Sequence, residues 1–182
     1  AATISARLGL RHNSVKSAAA AENKHRMRQL FEQAGVASPR FTLCRLDADR
    51  ADLAARVEYP CVLKPLSLAA SQGVMRADDP EQFIAMVDRL AAILARQDGE
   101  PASEFLVEQF VVGPEVALEG ILTRSSLRVL ALFDKPDPLD GPFFEETIYL
   151  TPSGLADEVQ QAVARSVQQA ASALGLTDGP VH

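Results

Sequence analysis

The stretch EYPCVLKPLSLAASQGV, residues 58–74, sets a single lysine inside an apolar run and follows it at once with a proline. Residues 59–66 predict a buried strand, in which a lysine is costly unless an anion meets it. Pro65 cannot donate a ladder hydrogen bond, so the strand lies at an edge or leaves the sheet near Lys64. The small residues 67–73 could then form a flap whose backbone N–H groups and hydroxyls close on phosphate oxygens. The alternative is a strand-end lysine that reaches water beside an ordinary loop.

The bulk composition is that of a globular protein. The chain has 182 residues, of which 47% are apolar and 23% charged, enough for one large or two small domains with a sizeable core. The net charge is −6 with scattered basic residues, which argues against a nucleic-acid partner. Cys44 and Cys61 have neither zinc-ligand nor secreted-disulfide spacing and are expected to be reduced core thiols. Because neither a membrane span nor a signal peptide is apparent, we expect a cytoplasmic protein with no membrane partner.

The order of the predicted elements indicates the fold class. Hydrophobic periodicity and turn residues predict, in chain order, a helix at about 14–34, a strand in SPRFTLCRL, a short helix in DADRADLAARV, the strand at 59–66, a helix in DDPEQFIAMVDRLAAILARQ capped by Asp79, strands in EFLVEQFV, EVALEGILT, LRVLALFDK and FFEETIYLTP, and a helix at about 155–174. The closing residues TDGPVH predict a turn that enters a further strand. Several strands thus follow one another without a helix, which indicates an α+β fold with antiparallel pairing rather than a Rossmann sheet.

A second motif, FLVEQFVVGPEVALEGIL, carries two glutamates. Glu108 and Glu115 lie seven residues apart, one ending a strand and the other beginning the next across a Gly-Pro turn. That spacing can place two carboxylates along one wall of a cleft, where a carboxylate can accept two hydrogen bonds from a ribose diol. The connector from Glu108 through Gln109 and Phe110 to Val111 offers backbone donors and acceptors to a flat base. The alternative is a pair of solvated glutamates at strand edges.

Three motifs in order resemble the ATP-grasp superfamily, and the resemblance covers nearly the whole chain. They are NKHRMRQLFEQAGVASP, YPCVLKPLSLAASQGV and VEQFVVGPE, and a fourth segment, DKPDPLDGPFFEE, resembles the branch of L-amino-acid ligases. The superfamily includes D-alanine–D-alanine ligase, biotin carboxylase and the ATP-grasp domain of carbamoyl-phosphate synthetase. The resemblance implies two α+β subdomains with mainly antiparallel sheets that clamp ATP, the first being a mobile lid. It also implies an ATP- and Mg²⁺-dependent ligase that activates a small-molecule carboxylate as an acyl phosphate for attack by an amine.

The resemblance also assigns roles to individual residues. The positions it implies for nucleotide binding are Lys24, Lys64, Ser67, Ser71, Gly73, Glu108, Gln109, Val111 and Glu115. The two lysines would contact the phosphates, the flap would cover the β- and γ-phosphates, and Lys64 could also reach the base. Glu108 would accept from the adenine amino group, with the backbone of Gln109 and Val111 beside it, and Glu115 would hold the ribose hydroxyls. Candidates for catalysis at the triphosphate and substrate end are Lys135, Glu145 and Glu146.

The chain departs from the family pattern in three places. Asn23-Lys24 stands where relatives usually have Asp-Lys, and the flap holds one glycine where many members hold several. The family's principal Mg²⁺ ligands, a Glu and a later Glu-x-Asn, lie beyond the position of His182, so no metal ligand is certain within this chain. We therefore expect a fragment that lacks full activity on its own.

The resemblance divides the chain into three parts. Residues 1–22 would be the tail of a preceding domain or a linker helix, 23–112 the lid subdomain with its leading helix, and 113–182 a truncated second subdomain. A homodimer is a further expectation. Two other functions remain open: a non-catalytic nucleotide-binding or assembly module with this fold, and an enzyme of the biotin-carboxylase type.

Overall fold

The computed structural model describes residues 1–99, 102–144 and 147–182. Its elements are α1 (Ala2–Arg7), α2 (Val15–Glu22), α3 (Lys24–Gln33), β1 (Phe41–Arg45), α4 (Arg50–Ala54), β2 (Cys61–Pro65), β3 (Met75–Ala77), α5 (Pro80–Leu94), β4 (Glu104–Gln109), β5 (Glu115–Thr123), β6 (Ser126–Lys135), α6 (Asp157–Ala173) and β7 (Gly179–Val181). Among the described residues, no helix combines the length and the apolar character that a membrane crossing requires.

The chain forms two compact units, each with one antiparallel sheet. The four-stranded unit comprises Pro39–Gly113 and Leu139–Glu145, and its strand order is β1-β4-β2-β3. The three-stranded unit comprises Ala1–Ser38, Pro114–Pro138 and Glu146–His182, and its strand order is β6-β5-β7. These helices and antiparallel sheets confirm the predicted α+β class. The division at residues 22 and 112 stays a prediction.

Helix α5 forms the core of the four-stranded unit with one face of its sheet. The helix begins as predicted: Asp79 Oδ1 accepts a hydrogen bond of 2.8 Å from the N–H of Gln82, and Pro80 occupies the first turn. Phe83 and three aliphatic residues of α5, spaced to lie on one stripe, are buried against the sheet. Burial of a side chain the size of Phe83 contributes about 2–3 kcal/mol. The alternate residues Cys61 and Leu63 of β2 contribute their side chains to this core.

The opposite face of this sheet carries charge. The register pairs Val62 with Glu108 and Lys64 with Leu106. Because directly opposed residues share a face, Lys64 and Glu108 project on the same side, away from α5. The same register carries Arg76 of β3 onto this face, since Arg76 pairs with Val62. The alternation of side chains along the strands therefore separates the apolar face that packs on α5 from a face on which these three charged residues stand beside the buried Val62 and Leu106.

The three-stranded unit is built around β5. Strand β6 pairs along the whole of β5 with a register shift between Glu119 and Gly120, and β7 pairs on the other side. Helices α2 and α3 pack with α6 in a second apolar cluster that contains Phe31 and Leu174. Ser17 strengthens this association, because its hydroxyl donates a 2.9 Å hydrogen bond to the carbonyl of Gly175.

Two predicted elements differ from the structure. The helix expected at 14–34 is two helices, because Asn23 is extended and its Oδ1 accepts from the N–H of Arg26 at 2.9 Å. Asparagine favours this capping role over a helix interior. The strand expected in FFEETIYLTP is wrong for the residues of this segment that the structure describes, which form only the isolated bridges of Phe143 with Met75 and of Leu150 with Asp134. These bridges belong to different units, so the segment does not pair along one sheet.

Candidate functional site

Lys64 and Glu108 form an ion pair on the charged face of the four-stranded sheet. Lys64 Nζ lies 2.6 Å from Glu108 Oε2. The Glu108 side chain is 2% exposed, whereas that of Lys64 is 23% exposed. The interpretation of Glu108 as a solvated edge glutamate is therefore wrong. A carboxylate removed from water needs such a partner, and this explains why a lysine stands in the apolar run of β2.

The connector after Glu108 leaves the sheet with part of its backbone occupied. The N–H of Gln109 donates to the carbonyl of Arg40 at 2.9 Å, and the N–H of Phe110 donates to the carbonyl of Pro60 at 3.1 Å. Neither of these two N–H groups is therefore a donor for a ligand in this conformation. Val111, which follows them, is 65% exposed. The structure thus holds the connector at its start and exposes it from Val111 onward.

The flap from Ser67 to Gly73 is a turn between β2 and β3. Ala70 and Ser71 adopt φ of 51° and 54°, a left-handed conformation that costs a non-glycine residue about 1–2 kcal/mol. Leu68 packs against the core of the four-stranded unit, so one side of the flap is fastened. Gly73 has φ of +70° and suits the tight return into β3. The segment is therefore less loose than its small residues indicated.

The three-stranded unit contains its own acid–base pair. Glu115 begins β5 and Lys135 ends β6, directly opposite in the register. Lys135 Nζ lies 2.6 Å from Glu115 Oε1 and 5.2 Å from the ring centroid of Tyr149. The Lys135 side chain is only 7% exposed, so it is not part of a solvated charged turn. The ammonium therefore orients the more exposed Glu115 carboxylate.

Neighbouring residues tie Lys135 to the segment that follows β6. Asp134 accepts hydrogen bonds from the Ser153 hydroxyl at 2.5 Å and from the N–H of Gly154 at 2.7 Å. These two donors lower the pKa of the Asp134 carboxyl. The backbones of Asp134 and Leu150 exchange hydrogen bonds of 2.9 and 3.0 Å. Asp134 thus holds residues 150–154 beside the end of β6.

The remaining candidates occupy different places. Lys24 is the first residue of α3, in the three-stranded unit. His182 Nδ1 lies 2.5 Å from Glu119 Oε1 of β5. Glu145 and Glu146 lie outside the described residues. Within the described ranges, no three His, Cys, Asp or Glu side chains cluster in a way that could hold a metal ion.

The two cysteines are buried and unpaired, in the core of the four-stranded unit. Burial raises the pKa of the Cys44 thiol to about 11 and that of Cys61 to about 12. Thiols of such high pKa carry almost no thiolate near neutrality, so they are poor nucleophiles. The prediction of reduced core thiols is confirmed.

Sequence reasoning missed a cluster of arginines and aromatic rings in the four-stranded unit. The Arg76 guanidinium carbon lies 4.1 Å from the Phe110 ring centroid, and that of Arg89 lies 4.5 Å from the centroid of Phe143. Phe110 also approaches Phe144, with 6.5 Å between ring centroids. The only sequence signal was Phe110 in the connector, because the contacts join segments far apart in the chain.

Comparison with known families matches residues 57–182 to the ATP-grasp domain. The chain belongs to the ATP-grasp family. Its sequence is 30% identical to alanine–anticapsin ligase of Bacillus subtilis (strain 168) over 97% of this chain and 40% of that protein. It is also 30% identical to D-alanine–D-alanine ligase of Aromatoleum aromaticum over 90% of this chain and 51% of that protein. The ATP-grasp chain thus spans about half or less of the length of these curated relatives.

The fold of this ATP-grasp chain also resembles a solved structure, that of L-amino acid ligase from Bacillus licheniformis. The two superpose with a TM-score of 0.83 at 31% identity, covering 98% of this chain and 42% of that chain. The predicted resemblance to the ATP-grasp superfamily and to L-amino-acid ligases is confirmed. The three relatives are named as ligases of alanine, of D-alanine and of L-amino acids.

Proposed function

We propose that this chain is the nucleotide-binding part of an ATP-dependent ligase that joins a carboxylate to an amine. The observation that carries the proposal is the Lys64–Glu108 pair, a buried carboxylate with a partly exposed ammonium beside an exposed connector. An ammonium at such a position can meet phosphate oxygens or the edge of a base, and the carboxylate can accept from an exocyclic amino group.

In the four-stranded unit, adenine would bind at the connector from Glu108 to Val111. Val111 supplies backbone groups to the base, because the N–H groups of Gln109 and Phe110 are already engaged. Glu108 accepts from the adenine amino group, and Lys64 neutralises phosphate charge. Ser67, Ser71 and Gly73 cover the phosphates from the flap. The sequence suggested backbone contacts to adenine from both Gln109 and Val111. The N–H of Gln109 is not among them while it donates to the carbonyl of Arg40.

In the three-stranded unit, Glu115 would accept hydrogen bonds from the ribose hydroxyls, and Lys24 would contact the phosphates. Lys135 fixes the Glu115 carboxylate at 2.6 Å, so its oxygens are ordered before a diol approaches. Ordering in advance favours binding because less side-chain entropy is lost on complex formation. The further candidates Glu145 and Glu146 keep a proposed role at the triphosphate and substrate end.

The proposed chemistry is a transfer in two steps. A substrate carboxylate oxygen attacks the γ-phosphorus of ATP and releases ADP, and an amine nitrogen then attacks the acyl carbon and releases phosphate, forming an amide. Positioning and charge neutralisation carry most of phosphoryl-transfer catalysis, and lysines supply both. Mg²⁺ would accompany ATP, but the proposal assigns it no ligand among the described residues.

Amino acids are the proposed substrate class, since one molecule can supply a carboxylate and another an amine. The names alanine–anticapsin ligase and L-amino acid ligase support this choice. A non-catalytic nucleotide-binding module is the second candidate, and the flap favours it, because Leu68 fastens the flap to the core. Release of inorganic phosphate from MgATP, measured with and without a mixture of amino acids, distinguishes the two. Amino-acid-dependent release supports the ligase, and ATP binding without it supports the module.

Calorimetric titration of the 182-residue chain with ATP tests the nucleotide assignment. Glu115→Gln should weaken ATP binding by about tenfold or more, since it removes a charged acceptor from the ribose diol. Glu81→Gln, an exposed change in the first turn of α5, is the matched control and should leave the affinity unchanged. Equal affinities for the Glu115→Gln variant and the unaltered chain would contradict the assignment of Glu115. Absence of any ATP binding would contradict the proposed function.

A further inference from the structure

Arg76 places a cation directly over the ring of Phe110. Its guanidinium carbon lies 4.1 Å from the ring centroid, within the range of a cation–π interaction. The Arg76 side chain is 22% exposed, so the contact is largely shielded from water. Arg76 belongs to β3 and Phe110 follows β4, and these two strands are not neighbours in the sheet. The contact therefore spans the charged face of the sheet.

Further hydrogen bonds fix the Arg76 side chain in this position. Its Nε donates to Asp78 Oδ1 at 2.7 Å, and a terminal nitrogen donates to the carbonyl of Asp140 at 2.6 Å. The backbone N–H of Arg76 donates to the carbonyl of Pro142 at 2.9 Å. Arg76 thus has few rotamers available, and its guanidinium is a fixed support rather than a mobile surface charge.

Phe110 lies at the start of the connector that the proposed function gives to adenine. Its backbone is held on one side by the carbonyl of Pro60, at 3.1 Å from the Phe110 nitrogen. Its ring is held by Arg76 and by Phe144, whose ring centroid lies 6.5 Å away. The orientation of the next peptide, that of Val111, follows from these constraints because the two residues share a backbone.

We propose that Arg76 is a positioning residue that sets the affinity of this chain for the adenine base by holding Phe110, and through it the backbone of the exposed residue Val111. The inference rests on the proposed function and adds to it the residue that determines base recognition. Arg76 itself contacts neither base nor phosphate in this assignment. Its loss should therefore weaken the part of the affinity that comes from the base and spare the part that comes from the phosphates.

The test compares binding of ATP with binding of inorganic tripolyphosphate by calorimetry. Arg76→Gln should weaken ATP binding by about fivefold, the effect of losing one shielded cation–π contact. Tripolyphosphate affinity should change less than twofold, which is the result that a general loss of structure would not give. Arg76→Lys keeps a cation near the ring and should restore most of the ATP affinity. Arg89→Gln is the matched control, since Arg89 stacks on Phe143 in the same unit and not on Phe110.

A second variant shows whether Arg76 acts through Phe110. Phe110→Leu should reproduce the loss caused by Arg76→Gln, and the two changes together should weaken ATP binding no further than either alone. Additive losses would overturn the inference, and so would an unchanged ratio of ATP to tripolyphosphate affinity in the Arg76→Gln variant.

Amide hydrogen exchange keeps the inference separate from the proposed function. If the unaltered chain binds no ATP, the proposed function fails, but the positioning role can still be measured. Arg76→Gln should then accelerate exchange of the N–H of Phe110, which donates to Pro60, whereas Arg89→Gln should leave it unchanged. Unaltered exchange of the Phe110 amide in the Arg76→Gln variant would overturn the positioning role.

Discussion

At the residue scale, the Lys64–Glu108 pair decides how charge is accommodated in the four-stranded sheet. Glu108 is almost fully buried and meets an ammonium at 2.6 Å. Removing one partner of such a pair leaves an uncompensated charge, whereas removing both can be nearly neutral. The two charges therefore have to be considered together, both for stability and for binding.

Lys64→Met should lower the free energy of unfolding by about 3 kcal/mol, because the buried Glu108 carboxylate loses the ammonium that lies 2.6 Å from it. Urea unfolding followed by circular dichroism measures the change. Lys16→Met, at an exposed position of α2, is the control and should change the stability by less than about 0.5 kcal/mol. The double variant with Glu108→Leu should be more stable than Lys64→Met alone. If the double variant were the less stable, the burial cost of the carboxylate would not be the cause.

The buried thiols give a prediction about pH. Burial raises the pKa of Cys44 to about 11 and of Cys61 to about 12, against about 8.5 in an unfolded chain. A raised pKa stabilises the protonated, folded form. That contribution is complete below pH of about 8.5 and is lost as the pH rises towards 11 and then 12. The free energy of unfolding should therefore fall in this alkaline range.

The rate of alkylation by iodoacetamide at pH 8 tests the burial and the raised pKa of each thiol. Both thiols should react at least about 100-fold more slowly in the folded chain than in urea, since burial raises the pKa of Cys44 to about 11 and that of Cys61 to about 12 and so removes nearly all thiolate at pH 8. Separate rates follow from mass spectrometry of the peptides that contain each cysteine. A thiol that reacted equally fast in the folded and unfolded chains would contradict the assigned burial.

At the element scale, local signals predicted helices and strands well where one face is buried. Helix α5 begins at the predicted proline, because a capping side chain and an apolar stripe are both encoded within a few residues. Helix α6 was predicted from its apolar stripe alone, since no side chain caps its start, and the turn into β7 was predicted from the turn residues Asp178 and Gly179. Asn23 was misjudged because apolar periodicity continues through it, although an extended asparagine begins a new helix. Periodicity identifies buried faces, and caps determine where helices end.

The segment 139–144 could not be predicted as an element, because its partners are distant in sequence. It follows β6 yet belongs to the four-stranded unit, where the carbonyls of Asp140 and Pro142 accept hydrogen bonds from Arg76. Nothing in the sequence near these residues indicates an arginine more than sixty positions earlier. For the same reason the contact of Arg76 with Phe110 was not predicted, whereas the ion pair of Lys64 and Glu108 joins two residues that the motifs had named. The nucleotide contacts assigned to those motif residues stay predictions.

Gly141→Ala should release segment 139–144 from β3. Gly141 has φ of +94°, and a Cβ there would lie 2.9 Å from Arg76 Cβ. We expect the free energy of unfolding to fall by about 2 kcal/mol, of which about 1 kcal/mol reflects the backbone conformation alone. Exchange of the Arg76 N–H, which donates to Pro142, should accelerate. The neighbouring amides of Met75 and Ala77 point towards β2 and should stay protected.

Gly99→Ala is the matched control for this prediction. Gly99 also has a positive φ, of +113°, but a Cβ there meets nothing within 4 Å. It should therefore cost the conformational part only and leave the Arg76 N–H protected. Equal effects of the two alanines on stability and on that amide would mean that contact with Arg76 does not hold the segment.

At the scale of the whole molecule, the candidate residues are divided between two units, each with its own core. Lys64 and Glu108 belong to the four-stranded unit, whereas Lys24, Glu115 and Lys135 belong to the three-stranded unit. The chain passes from one unit to the other after residues 38, 113, 138 and 145. Sequence motifs predicted two subdomains, but a chain that changes unit repeatedly cannot be divided by composition or linkers alone.

The two separate cores predict that stability can be lowered in one unit at a time. Phe83 is fully buried in the cluster of the four-stranded unit, and Leu174 is buried in the cluster of the three-stranded unit. Phe83→Leu should cost about 1–2 kcal/mol and accelerate amide exchange mainly in β2 and β4. Leu174→Ala should cost about 2–4 kcal/mol and accelerate exchange mainly in α2 and α6. Equal acceleration throughout the chain in both variants would instead indicate one cooperative core, because local opening would then require the whole molecule to unfold.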